Sequence, residues 1–204
     1  MWFSAPTKVS FFAAFLQTKV KTKIRLMRRV EFSSIAVTLG KTEEVLFNDI
    51  KKSTRNEIRR ALKEGVECSL LSDTIEGLKI HKNYYEKNGL GSVSVDRYVN
   101  DIKVRVTVAT YQSKVISVHT YLLCDQRQIV RLLFSSTIPP EYGIERKVVG
   151  WANRSLHWHD IRYFKAMGFD VYDFGGIAVG NSLSSKTEEI NRFKKLFGGE
   201  IVVY

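Results

Sequence analysis

Apolar and polar positions change rhythm three times along this chain. Residues 20 to 26 alternate: Val20, Thr22, Ile24 and Leu26 interleave with Lys21, Lys23 and Arg25, the two-residue period of a strand. Before them, Val9, Phe12, Leu16 and Val20 share one helical stripe. "SSIAVTL" (33–39) reads as a strand and "TEEVLFNDI" as a short helix. In "KSTRNEIRRALKEG", Thr54 and Glu57 have the spacing of a capping box, and Gly65 supplies the stop. "VECSLL" is a short strand. A helix follows, opened by Asp73 and closed by Gly89, with Ile75, Leu78, His81 and Tyr85 on apolar spacing.

From residue 103 the period is two again. "KVRVTVATY", "VISVHTYLLC" and "IVRLLFSST" are three strands joined by short turns at Gln112-Ser113 and Asp125-Gln126-Arg127, an antiparallel meander. Pro139 and Pro140 break the pattern, since proline cannot donate to a ladder. A long helix from about 145 to 167 is closed by Gly168. "FDVYDFGG" is then a strand, "SKTEEINRFKKLF" a helix and "EIVVY" a final strand. This order predicts an α/β fold: a mixed sheet containing an antiparallel meander, with helices on both faces.

Composition narrows the setting. With 204 residues, 44% hydrophobic and 26% charged, the chain has globular proportions, without repeat or low-complexity tract. Residues 1–32 are expected to form a basic extension packed on or beside a single domain over 33–204. Cys68 and Cys124 stand apart with no ligand-spaced partners, so neither a zinc site nor a disulfide framework is expected. The longest apolar run, residues 9–16, is short of a membrane span, and no small-residue cleavage site follows it. The expected location is cytoplasmic.

The net charge is +11, and Lys8, Lys19, Lys21, Lys23, Arg25, Arg28 and Arg29 all precede the first acid, Glu31. Such asymmetry suits a polyanionic partner: nucleic acid, a diphosphate-bearing ligand or an acidic membrane. The leader is either a helix and edge strand docked on the domain or a peripheral contact at the inner face of the membrane.

Three stretches carry more specific information. "FNDIKKSTRNEIRRALKEGV" (47–66), "GWANRSLHWHDIRYFKAMGFDVYDFGGI" (150–177) and "INRFKKLFGGEIVVY" (190–204) resemble, in order, blocks of the Fem family. These are the aminoacyltransferases that build peptidoglycan interpeptide bridges, with their BioF2-like acetyltransferase relatives, in the GNAT superfamily. The resemblance runs from about residue 35 to the end. It implies a GNAT-like domain that moves an aminoacyl or acyl group onto an amino group of a cell-envelope precursor, peptidoglycan or polysaccharide. The implied donor is aminoacyl-tRNA or acyl-CoA, with no further cofactor and no metal. The Gly-rich pyrophosphate loop of CoA-using members is missing from "TIPPEYGIERKVVG", which counts against CoA. Fem enzymes carry two such domains, and a homodimer would supply the second. The alternative is a non-catalytic GNAT-like module that binds RNA or a partner subunit.

Amine attack on an ester or thioester needs a deprotonated amine, a stabilised oxyanion and a proton for the leaving atom. No nucleophilic triad is visible, so direct transfer is expected. Lys194, after Phe193 in the family's Phe-Lys pair, is expected to steady the oxyanion or the ribose-phosphate end of a tRNA; as a bare residue it would be a solvated helix lysine beside Lys195. Asp173 is expected either to orient or deprotonate the acceptor amine or to cap the turn after it. Tyr172, Gly175 and Gly176 complete this strand-end site, the glycines allowing a positive φ or a close backbone approach. Lys52, Arg55, Arg59 and Lys63 form one helical stripe that could track phosphates or simply face water, and Arg55 matches the family's Lys-Ser-x-Arg start.

His157 and His159, two apart on a helix, diverge too far to chelate one ion; one is expected beside Trp158 and the other toward solvent. His119 is a satisfied core or edge histidine, or a fallback base. Tyr84, Tyr85, Trp151 and Trp158 pack in the core or stack on a base or sugar.

Overall fold

The computed structural model describes residues 33–91, 93–96, 98, 103–138, 143–177 and 185–203. The basic leader over 1–32, Pro139, Pro140 and Tyr204 lie outside the described residues.

Seven strands form one sheet: β1 (Ser33–Thr38), β2 (Glu67–Leu71), β3 (Val104–Tyr111), β4 (Lys114–Cys124), β5 (Ile129–Thr137), β6 (Val171–Ile177) and β7 (Glu200–Val203). Their order is β2-β3-β4-β5-β6-β1-β7. Every neighbouring pair is antiparallel except β5 and β6. The meander forms as the alternating pattern predicts, and the β3–β4 turn is tight because Gln112 and Ser113 both take positive φ.

Five helices accompany the sheet: α1 (Glu43–Asp49), α2 (Lys52–Lys63), α3 (Thr74–Lys87), α4 (Arg146–Ala166) and α5 (Ser185–Lys195). Alternation along the strands sorts them to two faces. Val106, Val108 and Val118 point toward α3, where Gly77 lets the helix approach Val106. Thr107, Ala109, Ser117, His119 and Tyr121 point toward α4, which also carries α2 on its outer side through Ala61. The largest apolar cluster joins β1, β6 and the end of α5, with Ile35, Phe164, Tyr172, Phe174 and Phe197 all buried.

Asp73 caps α3 as expected, accepting hydrogen bonds from the backbone N–H of Ile75 and Glu76. The capping box expected at Thr54 and Glu57 does not form. The helix begins two residues earlier, at Lys52, so Thr54 is already within the first turn and fully buried. Glu57 instead pairs with Arg154 of α4, 2.6 Å away.

Candidate functional site

Parallel pairing of β5 and β6 is brief. It runs from Ile129↔Val171 to Arg131↔Asp173 and then stops, while both strands continue. Past that point a cleft of about 770 Å³ opens. Its walls are the C-terminal halves of β5 and β6, Tyr84 and Tyr85 at the end of α3, Asn153, Arg154 and His157 of α4, and Glu189, Ile190, Phe193 and Lys194 of α5. The outer ends of neighbouring strands in an α/β sheet are a usual place for a ligand, because backbone groups freed from pairing face the opening.

Lys194 is the polar centre of this cleft. Its Nζ donates to the carbonyl oxygen of Gly176 at 2.6 Å and to that of Gly175 at 3.3 Å, tying α5 to the end of β6. Burial pulls its pKa from 10.5 to about 8; nearby Asp173 opposes the shift and Arg131 adds to it. A partly buried ammonium is less well hydrated than one in bulk water, so it interacts more strongly with a charge that develops beside it. Lys195, its neighbour, is exposed.

Both Phe-Gly-Gly turns serve this region. Phe174 and Phe197 are buried with ring centres 5.2 Å apart, and Phe193 lies 5.5 Å from Phe197. The first glycine of each pair takes a left-handed backbone, φ +74° at Gly175 and +76° at Gly198. A side chain at Gly175 would meet the Leu132 carbonyl oxygen at 2.9 Å, and one at Gly198 would meet Asp49 at 2.8 Å.

Other expected site residues fall differently. Gly175, Gly176 and Phe193 line the cleft. Asp173 does not: it is fully buried, its Oδ1 accepts the N–H of Gly175 at 2.7 Å, and its Oδ2 lies 3.7 Å from Nε of Arg131. It therefore caps the turn and does not line the cleft. Tyr172 is likewise fully buried beneath the cleft, its hydroxyl 2.7 Å from Tyr121 and 2.9 Å from Nδ1 of His157. Both residues lie where β6 is still paired with β5, below the point at which the cleft opens.

Arg55 is not at the cleft either. Its guanidinium donates to the carbonyl oxygens of Asn48 and Ile50, both at 2.6 Å, closing the end of α1. Arg59 packs over Phe47 and Arg60 over Trp151, so part of the basic face of α2 covers aromatic rings.

His157, Asn153, Arg154 and Glu189 are cleft residues that sequence reasoning did not assign. Arg154 pairs with Glu57 and stacks over Phe193, at 5.3 Å from the ring centre, so one side chain links α2, α4 and α5. His157 does not pack beside Trp158, which turns the other way onto Phe47. It sits among Phe174, Phe193 and Phe197, with burial and the nearby His119, Lys194 and Arg154 holding its pKa well below the usual value. His159 lies on another side, bonding Oδ1 of Asp160 and stacking on Tyr163.

Beneath the cleft lies a buried polar cluster centred on Asp160. Its Oδ2 accepts from Tyr121 at 2.6 Å, His119 at 2.8 Å and Thr107 at 3.0 Å. Burial alone would raise the Asp160 pKa, but bonds from His119 and His159 hold it below its ordinary value. His119 is thus a core histidine whose Nδ1 donates to Asp160, with Nε2 2.9 Å from the Asn153 side-chain amide. An Asp on the apolar stripe Ala152–Leu156–Asp160–Phe164 was the available signal for this network.

No family model matches the chain, and no curated protein matches it by sequence. Solved structures do. FemX shares the fold with a TM-score of 0.67 at 14% identity, over 83% of this chain and 59% of that one. The C-terminal domain of a protein assigned as lysylphosphatidylglycerol synthetase from Agrobacterium fabrum follows, with TM-score 0.57, 11% identity, and coverage of 84% and 58%. L-PGS from Bacillus licheniformis has TM-score 0.54, 10% identity, and coverage of 85% and 60%. The chain spans under two thirds of the length of each of these. The chain shares the fold of FemX and of these two synthetase structures.

Proposed function

We propose that this chain is an acyltransferase that carries an aminoacyl or acyl group onto an amino group of a cell-envelope precursor, by direct transfer. The observation that supports it is Lys194: a partly buried ammonium, held by two carbonyls, inside a cleft at the divergence of two parallel strands. As the amine attacks the carbonyl carbon, negative charge gathers on the carbonyl oxygen, and an ammonium beside it lowers the barrier. Leu132, Phe174 and Ile190 give the cleft apolar walls, beside which a charge interaction is less screened than in bulk water.

The fold shared with FemX, and with a protein whose name joins a lysyl group to phosphatidylglycerol, favours an aminoacyl donor over acyl-CoA. The acceptor class follows the resemblance to Fem enzymes. Peripheral contact with the inner face of the membrane would bring the basic chain to a lipid-linked acceptor.

The test is a transfer assay with charged tRNA and with acyl-CoA, on the full chain and on Lys194→Ala and Lys194→Arg. Lys194→Ala is expected to lower kcat by roughly 100-fold, the usual size for a lost oxyanion donor. Protonated Lys194 is the active form, so activity should fall as pH rises through about 8. Arginine stays charged there, so Lys194→Arg should keep some activity and lose that alkaline limb. Unchanged turnover in Lys194→Ala would remove it from the chemistry. Binding of charged tRNA without transfer to any amine would point to the non-catalytic module.

A further inference from the structure

We propose that His157 is the proton shuttle of the cleft, kept in one tautomer by the chain Asp160–Tyr121–Tyr172, with Nε2 as its working atom. This rests on the acyl-transfer reading above and adds the group that moves the proton.

Directionality of the hydrogen bonds carries the inference. The ionised Asp160 can only accept, so the Tyr121 hydroxyl donates to its Oδ2 at 2.6 Å. The Tyr121 oxygen then accepts from the Tyr172 hydroxyl at 2.7 Å. With its proton so committed, the Tyr172 oxygen accepts from Nδ1 of His157 at 2.9 Å. His157 is therefore the Nδ1–H tautomer, and its lone pair is on Nε2. A buried carboxylate two tyrosines away thus decides which ring nitrogen can take a proton.

Position suits the role. The His157 ring lines the same cleft as Lys194 and is almost wholly buried. The ring is held in place by Phe174, Phe193 and Phe197. Burial and the nearby His119, Lys194 and Arg154 disfavour a resting imidazolium. A shuttle needs that property, because it must release what it takes.

The step balances without another reactant. A neutral amine attacks the carbonyl carbon of the aminoacyl ester; the C–N bond forms and the carbonyl electron pair moves to oxygen beside Lys194. Bonding to carbon makes the nitrogen strongly acidic, and one N–H proton passes to Nε2. The oxyanion reforms the carbonyl, the C–O bond to the leaving ribose breaks, and Nε2 returns its proton to the leaving oxygen. The products are an amide and a free hydroxyl, and the enzyme is unchanged. Tyr172 and Tyr121 are positioning residues and undergo no net change.

Two measurements test this. Nitrogen NMR of isotope-labelled histidine in the wild-type chain should show His157 as the Nδ1–H tautomer, and Tyr172→Phe should release it toward a mixture. His157→Gln should lower kcat by roughly 100-fold while KM stays within about twofold, and Tyr172→Phe should lower kcat less. An Nε2–H tautomer in the wild type overturns the proposal, as does wild-type kcat in His157→Gln. The NMR arm needs no turnover. A wild type that transfers nothing to any amine sinks the acyl-transfer reading, whereas the wrong tautomer in an active wild type sinks only the shuttle.

Discussion

Gly175 shows how much a single residue decides here. Its left-handed backbone lets β6 turn, its N–H is held by Asp173, and its carbonyl holds Lys194. The missing side chain is as important, because a methyl group would press on the Leu132 carbonyl oxygen. In Gly175→Ala the left-handed conformation alone costs roughly 1–2 kcal/mol, and the backbone contact adds to that. A loss of unfolding free energy of that size or more, read from urea unfolding, is expected. Wild-type stability would mean that β6 can turn without the glycine. The Asp173 side chain holds this geometry and does not line the cleft.

At the scale of elements, helix ends are joined by long side chains as well as by caps. Arg55, from α2, satisfies two carbonyls at the end of α1, where the helix's own geometry leaves acceptors unpaired. Arg55→Met keeps the aliphatic stem and removes those bonds. It is expected to cost about 1–3 kcal/mol, the range for bonds to a charged donor, with kcat little changed. A large loss of kcat at full stability would restore Arg55 to the substrate path. Arg154 performs a related joining between α2, α4 and α5, but it does so on the cleft wall.

For the whole molecule, the buried histidines set the response to acid. Burial, with His119 nearby, lowers the His81 pKa from 6.5 to about 3, and His157 is also well below its usual value. Above pH 6.5 each is neutral whether folded or unfolded and contributes nothing to the pH dependence. As pH falls from 6.5 toward 3, the unfolded chain takes up protons that the folded chain refuses, so stability is lost. His81 removes roughly 1 kcal/mol per pH unit over that window. Urea unfolding at pH 7 and pH 5 should show this loss, and His81→Gln should remove about one proton's share of the slope. An identical slope in that variant would show that His81 titrates normally in the fold. Among the described residues no helix is long and apolar enough to cross a membrane.

Local pattern determined most of the architecture. The two-residue period of β3, β4 and β5, the Asp73 cap, the long helix before residue 168 and the order of elements were all readable, because each depends on neighbours within a few positions. Phe193, Lys194, Gly175 and Gly176, all singled out in the sequence, line the cleft. Tertiary structure decided which side chains face it. It buried Thr54 where a cap was legible, turned Tyr172 and Asp173 inward, and gave Arg55 to a helix end. It also brought His157, from the middle of α4, against α5 and β6. Periodicity reports that a residue is buried. It does not report which partner waits there, because a contact between residues far apart in the chain is made only when the sheet and helices close on one another.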